Sequence, residues 1–239
     1  MKKLYIVGNW KSYKTLDDAK AWLEKFKEIN HQISSDEKEV IVCPPFLFLS
    51  EMKKFISENN LPLKLGVQDI SPFDEGAYTG AIFAGQVKAF VTHALVGHSE
   101  RRKYFHETDE DVLAKVKQLL AADITPVLCI SDMKQLEFYL KEDAVLVSNA
   151  HKIIFVYEPP SAISGGGAFH AADPKDIDVN AAEIGKMIGK EVITIYGGSV
   201  NPDNAAEIFG LEHVHGGLPG QASLDAEKFI SIIKATSPR

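Results

Sequence analysis

The chain is short of cysteine, of long hydrophobic runs, of basic clusters and of low-complexity linkers, and each shortage closes off a class of protein. It holds two cysteines, Cys43 and Cys129, in 239 residues. A disulfide framework needs more than that and a secreted context, so both are read as reduced core thiols of a cytoplasmic protein. No apolar stretch reaches the length of a membrane-spanning helix. The strand-like start after Met1-Lys2-Lys3 is interrupted by Asn9-Trp10-Lys11, too soon for the apolar core of a signal peptide. No basic run of five or more is present, and 33 acidic against 26 basic residues give a net charge of -7, which argues against a nucleic-acid partner. No Pro/Gly/Ser-rich linker and no internal repeat interrupts the chain, so residues 1–239 are read as one domain.

What is present is a regular alternation. Hydrophobic residues make up 45% of the chain, enough for a sizeable core. Short β-rich runs at 4–7, 39–43, 63–67, 94–97, 125–129, 152–157, 192–196 and 212–215 alternate with amphipathic stretches. The helical candidates include 16–28, 109–121, 174–188, 201–209 and 225–235. In the first of these Ala19, Trp22, Leu23 and Phe26 recur at spacings of three and four, a helical stripe. Asp173-Pro174 and Asn201-Pro202 read as helix starts, a capping side chain ahead of a proline in the first turn. Strands alternating with helices predict an α/β protein with parallel strands. Eight such units predict a closed (β/α)8 barrel, with a doubly wound open sheet as the alternative. In a barrel, chemistry gathers at the C-terminal ends of the strands.

Four strand ends carry chemistry. The first runs into Asn9 and Lys11, two residues apart and so on one side if the strand continues. Lys11 offers a fixed cation to an anionic substrate. The fourth ends in Gly97-His98-Ser99-Glu100-Arg101-Arg102. Here Ser99 is expected to cap a helical turn whose positive end keeps His98 neutral and hydrogen-bonding. The sixth ends in Tyr157-Glu158-Pro159-Pro160, a carboxylate on a stiffened strand end ahead of the glycine-rich run Ser164-Gly165-Gly166-Gly167. A proton-abstracting base needs such a rigid seat beside a loop able to close. The seventh and eighth lead into Gly197-Gly198-Ser199 and Gly216-Gly217-Leu218-Pro219-Gly220-Gln221. Paired glycine loops at those two positions favour a bound phosphate. Taken singly, each motif has an ordinary structural reading; the combination favours the functional one.

In order along the chain, Asn9-Trp10-Lys11, Gly97 to Arg102, Tyr157-Glu158-Pro159 and Tyr196-Gly197-Gly198-Ser199 resemble the four signature segments of the triosephosphate isomerase family. The resemblance spans Met1 to about Leu224. It implies a glycolytic enzyme of the cytoplasm that moves a proton between two carbons of a triose phosphate, without metal or organic cofactor. It implies Glu158 as base, His98 as the group that polarises the carbonyl, and Lys11 as the offsetting cation. Asn9 and Glu100 then support them. The phosphate would rest on Ser164, Gly165, Ser199 and Gly220, with Gln221 able to donate its backbone amide. The segment 76–80, with Thr79, resembles the loop that in this family reaches into a partner subunit, which implies a homodimer. A short segment between Cys129 and Glu158 resembles compact tetrameric forms, so a tetramer is the alternative, and the fifth crossover is expected to be trimmed or irregular. Ser161 stands where many members have tryptophan, and Gln221 where they have glycine. An isomerase of another small sugar phosphate, and a barrel scaffold of weak activity, are the other readings.

Two further features lie outside this pattern. His213 and His215 would share one face of the eighth strand, a conceivable metal pair lacking a third ligand. Gly165 to Gly167 lack dinucleotide-binding spacing, which excludes a nicotinamide site.

Overall fold

The computed structural model of the protein describes residues 2–30, 37–162 and 172–235. Eight parallel strands close into a barrel in sequence order. They are β1 (Leu4–Asn9), β2 (Lys38–Cys43), β3 (Lys64–Val67), β4 (His93–Val96), β5 (Thr125–Ile130), β6 (Ile154–Tyr157), β7 (Ile193–Tyr196) and β8 (Gly216–Gly217). Helices α1 (Leu16–Ile29), α2 (Leu49–Glu58) and α3 (Ala84–Val87) follow the first three strands. Next come α4 (Ser99–Phe105) and α5 (Asp109–Ala121), then α6 (Met133–Glu142) and α7 (Val145–Ser148). The last three are α8 (Pro174–Ile188), α9 (Ala205–Gly210) and α10 (Ala226–Lys234). None of the described helices is long and apolar enough to cross a membrane.

Alternation along the strands sorts the core into two layers. Val7, Ile41, Leu95, Val127, Ile154, Val156 and Ile195 fill the barrel interior, together with Cys43 and Cys129. Ile6, Val40, Ala94, Leu128, Phe155 and Tyr196 face outward, against the helices. Both thiols are free and buried, and burial pushes each of them up. The stripe of Ala19, Trp22, Leu23 and Phe26 is the buried face of α1.

The eighth strand departs from expectation. It comprises the two glycines after the run at 212–215, although that run's last residue still extends the ladder: the Tyr5 amide donates to the His215 carbonyl at 2.8 Å. Gly216 sits at φ +131, and a β-carbon there would fall 2.0 Å from the Tyr5 carbonyl oxygen. Closure brings two backbones so near that glycine is required at a place where strand propensity is lowest. Asp173 caps α8 with proline in its first turn, as the sequence predicts. Asn201 instead caps a turn: its side chain accepts from the amides of Asp203 and Asn204, and α9 begins only at Ala205. The fifth crossover is irregular, a ten-residue helix followed by α7 and a 3-10 turn.

Candidate active site at the barrel mouth

Asn9 is the last residue of β1, and its amide donates to the Pro219 carbonyl of the eighth loop at 3.0 Å. Its side-chain oxygen accepts from the Lys11 amide at 3.0 Å. The strand ends at Asn9, so the condition under which Asn9 and Lys11 would share one side of it is not met. Lys11 lies in the left-handed region at φ 50, and the Gln68 amide group ties its carbonyl down at 2.9 Å. That turn carries the ammonium across to Glu100, 2.6 Å away. Trp10, fully buried between them, donates to the Ser223 carbonyl, as does Trp22. Both indoles therefore pin the segment that follows Gly220 and Gln221.

At the fourth strand end Gly97 adopts φ +72, a conformation open to glycine. Its carbonyl is held by Arg102 Nε at 2.9 Å, while the same guanidinium bonds Asp109 at 2.7 Å and the Tyr139 hydroxyl at 2.6 Å. The capping residue of α4 is His98 itself, one position earlier than expected. Its ring Nδ1 accepts from the Glu100 amide at 3.2 Å. An acceptor at Nδ1 leaves the single ring proton on Nε2. Nε2 points at Glu158 Oε1, 3.0 Å away. Ser99, freed from capping, serves Glu158: its amide donates to Oε2 and its hydroxyl to Oε1, both at 3.0 Å. Glu158 is 1% exposed and His98 6%. Three donors thus hold a nearly buried carboxylate, the arrangement such a group requires.

The seventh loop approaches from the other side. A β-carbon on Gly198 would fall 2.1 Å from the Tyr196 hydroxyl oxygen, and one on Gly197 would fall 2.5 Å from Val156. Both glycines therefore have a packing reason in addition to any approach to ligand. The Ser199 hydroxyl donates to the Ala162 carbonyl at 3.0 Å, joining this loop to the end of the sixth. Gly220 leaves room for the lysine: a β-carbon there would lie 3.3 Å from Lys11 Cε and 3.8 Å from Nζ.

Together these ends line one cavity of about 470 Å³, which includes Asn9, Lys11, His98, Glu158, Ser199, Gly220 and Gln221. Glu100 stands behind Lys11 as its ion-pair partner. Ser164 and Gly165 lie outside the described residues. Thr79 is remote from the cavity, on an exposed loop where Phe73 and Tyr78 stack at 4.3 Å. The two histidines of the eighth unit do not converge. His213 pairs with Asp178 at 3.1 Å, whereas His215 accepts from the Thr194 amide. Among the described residues no group of three His, Cys, Asp or Glu side chains is placed to hold a metal. Two contributors escaped the sequence reading: Ser99 as the partner of Glu158, and Lys228, which reaches the same cavity from α10. Ser99 lies in a segment that reads locally as a helix cap, and no local motif marks Lys228.

A closed eight-stranded barrel with a carboxylate, an imidazole and an ammonium gathered at its C-terminal face defines the class, a (β/α)8-barrel enzyme. Comparison with known proteins narrows it. The triosephosphate isomerase family model matches residues 4–236. The triosephosphate isomerase of Fusobacterium nucleatum subsp. nucleatum is 36% identical over 256 aligned residues, covering 98% of this chain and 99% of the relative. That of Trichodesmium erythraeum is 37% identical over 246 residues, and that of Thermus thermophilus 34% over 257, each at the same coverage. The chain belongs to the triosephosphate isomerase family.

Proposed function

We propose that the protein interconverts dihydroxyacetone phosphate and D-glyceraldehyde 3-phosphate, with Glu158 as the base and His98 as the electrophile. Family membership supports the reaction. The observation that carries the residue assignment is the 3.0 Å approach of His98 Nε2 to Glu158 Oε1 within the cavity that also takes in Lys11. Glu158 removes a proton from the carbon beside the substrate carbonyl. The electron pair moves onto the carbonyl oxygen, and the Nε2–H of neutral His98 stabilises the oxyanion that forms. His98 then carries the hydroxyl proton from one enediolate oxygen to the other, and Glu158 returns its proton to the neighbouring carbon, which completes an exchange with no net redox change. Substrate binding has to part the acid from the imidazole, since the donor now facing Glu158 is the one the carbonyl needs. Lys11 offsets the growing negative charge, Glu100 holds the ammonium in place, and Asn9 supports the turn that delivers it. Ser199 and the amides at Gly220 and Gln221 receive the phosphate, along with Ser164 and Gly165. A coupled assay of both directions tests this reading. Turnover of triose phosphates well above that of longer sugar phosphates is expected, and a preference for the longer sugars would overturn it.

The protein is further read as one cytoplasmic domain over residues 1–239, working in glycolysis and gluconeogenesis as a homodimer. The exposed loop around Thr79 supports the dimer: Phe73 and Tyr78 remain 49% and 46% exposed and Leu47 is 90% exposed, apolar surface that a second subunit would cover. Sedimentation analysis should give twice the 26.3 kDa chain mass; a monomer would contradict the assignment, and a tetramer would replace the dimer.

A further inference from the structure

The phosphate end of the cavity holds a cation that the reaction scheme does not use. We propose that Lys228 is a second phosphate-binding residue, one that sets affinity for the substrate's phosphate without entering the chemistry. The proposal rests on the triose phosphate reading above.

The charge balance of the cavity carries the argument. Four ionised side chains line it: Lys11 and Lys228 against Glu158 and Asp203. With His98 neutral, the formal sum is zero. Lys11 cannot by itself offset a dianion, because Glu100 lies 2.6 Å from its ammonium. Without Lys228 the cavity would carry a net negative charge, in a chain that already stands at -7, and it would repel the phosphate it has to receive.

Lys228 is placed and free for that task. It lies in the first turn of α10, where the Asp225 side chain caps its backbone amide at 2.8 Å. The chain enters that turn through Ser223, whose carbonyl both indoles hold, so the start of α10 is fixed relative to Gly220 and Gln221. Among the described residues no carboxylate lies within ion-pair distance of the Lys228 ammonium. The adjacent Glu227 is engaged elsewhere, with Lys25 at 3.0 Å. Lys228 lines the same cavity as Ser199, Gly220 and Gln221. A long, flexible, unpaired ammonium next to donors that fix the anion's position supplies charge with little demand on geometry.

The test compares wild type with K228A, K228R and K228E, reading inorganic phosphate affinity by calorimetry and the steady-state constants on glyceraldehyde 3-phosphate. Lys228 is exposed, and equal thermal melting of the variants checks that the fold is kept. K228A should weaken inorganic phosphate about 5-fold, and raise KM by a similar factor, at unchanged kcat. K228R should behave as wild type, K228E should bind more weakly than K228A, and added salt should shrink all these differences. A structural role for Lys228 would not be rescued by arginine or scale with charge. Wild-type phosphate affinity in K228A overturns the assignment whatever the activity. Phosphate binding that depends on Lys228, in a wild type unable to turn over triose phosphates, would instead overturn the substrate reading and leave Lys228 as an anion-binding residue.

Discussion

His98 carries its ring proton on Nε2 because the Glu100 amide occupies Nδ1. That single contact turns a histidine at a strand end into a fixed donor aimed at the cavity. Replacing His98 with Gln keeps a donor of similar reach but loses the ring's exchangeable proton, and kcat should fall about 10²- to 10⁴-fold. Stopped or coupled assays check the rate, and ¹⁵N ring spectra of the wild type should display the Nε2–H tautomer. Near-wild-type turnover in the variant would remove His98 from the mechanism. At this scale the sequence is most readable at strand ends: the position of Asn9, Lys11, His98 and Glu158 after an apolar run points to the cavity they line. Ser99 was legible only as a cap, because its true partner Glu158 lies 59 positions away. Lys228 was not legible at all, since nothing about a lysine in a helix's first turn says which cavity it will face.

Among the elements, the outer ones were read through helical periodicity and the strands through β-branched runs, and both signals fail where closure overrides propensity. β8 is the example: at Gly216 the Tyr5 backbone of β1 approaches too closely for any side chain, and at Gly217 a β-carbon would crowd Phe209 and Val200. Gly216→Ala should therefore destabilise the fold by more than about 3 kcal/mol, well above an ordinary surface change, and urea denaturation would measure it. A loss of a few tenths would mean the barrel can open at this seam without cost. The short helix α4 was likewise misread by one residue. Its start is set by an imidazole acting as cap, a role that residue statistics assign to Ser, Thr, Asp or Asn.

For the whole molecule, stability and activity separate by end of the barrel. At the end opposite the site, Glu39 accepts from Lys64 at 2.7 Å and from His93 at 3.3 Å, with Lys3 alongside. The His93 bond first, then those of Lys3 and Lys64, hold the Glu39 carboxyl well below its usual range, although burial opposes them. A carboxyl depressed on folding contributes its full stabilisation above its unfolded value of about 4.3 and loses it progressively as pH falls from there through its lowered folded value. Denaturant midpoints should thus separate wild type from Glu39→Gln at neutral pH and converge on acidification; a constant gap would contradict the linkage. The fold class and the gathering of the strand ends at one cavity could both be read before any coordinates, because a barrel brings the C-terminal ends of its strands to one face. The distance between acid and imidazole could not, because it depends on how the fourth and sixth strands register against β5, which lies between them. That pairing is also where the account stands most exposed. The most direct measurement is triose phosphate turnover by wild type and by Glu158→Asp, a change that keeps the charge and draws the carboxylate back by one methylene. Rapid isomerisation by wild type, with kcat reduced by orders of magnitude in the variant at an unchanged melting temperature, is the predicted result. Wild-type turnover in Glu158→Asp would contradict it.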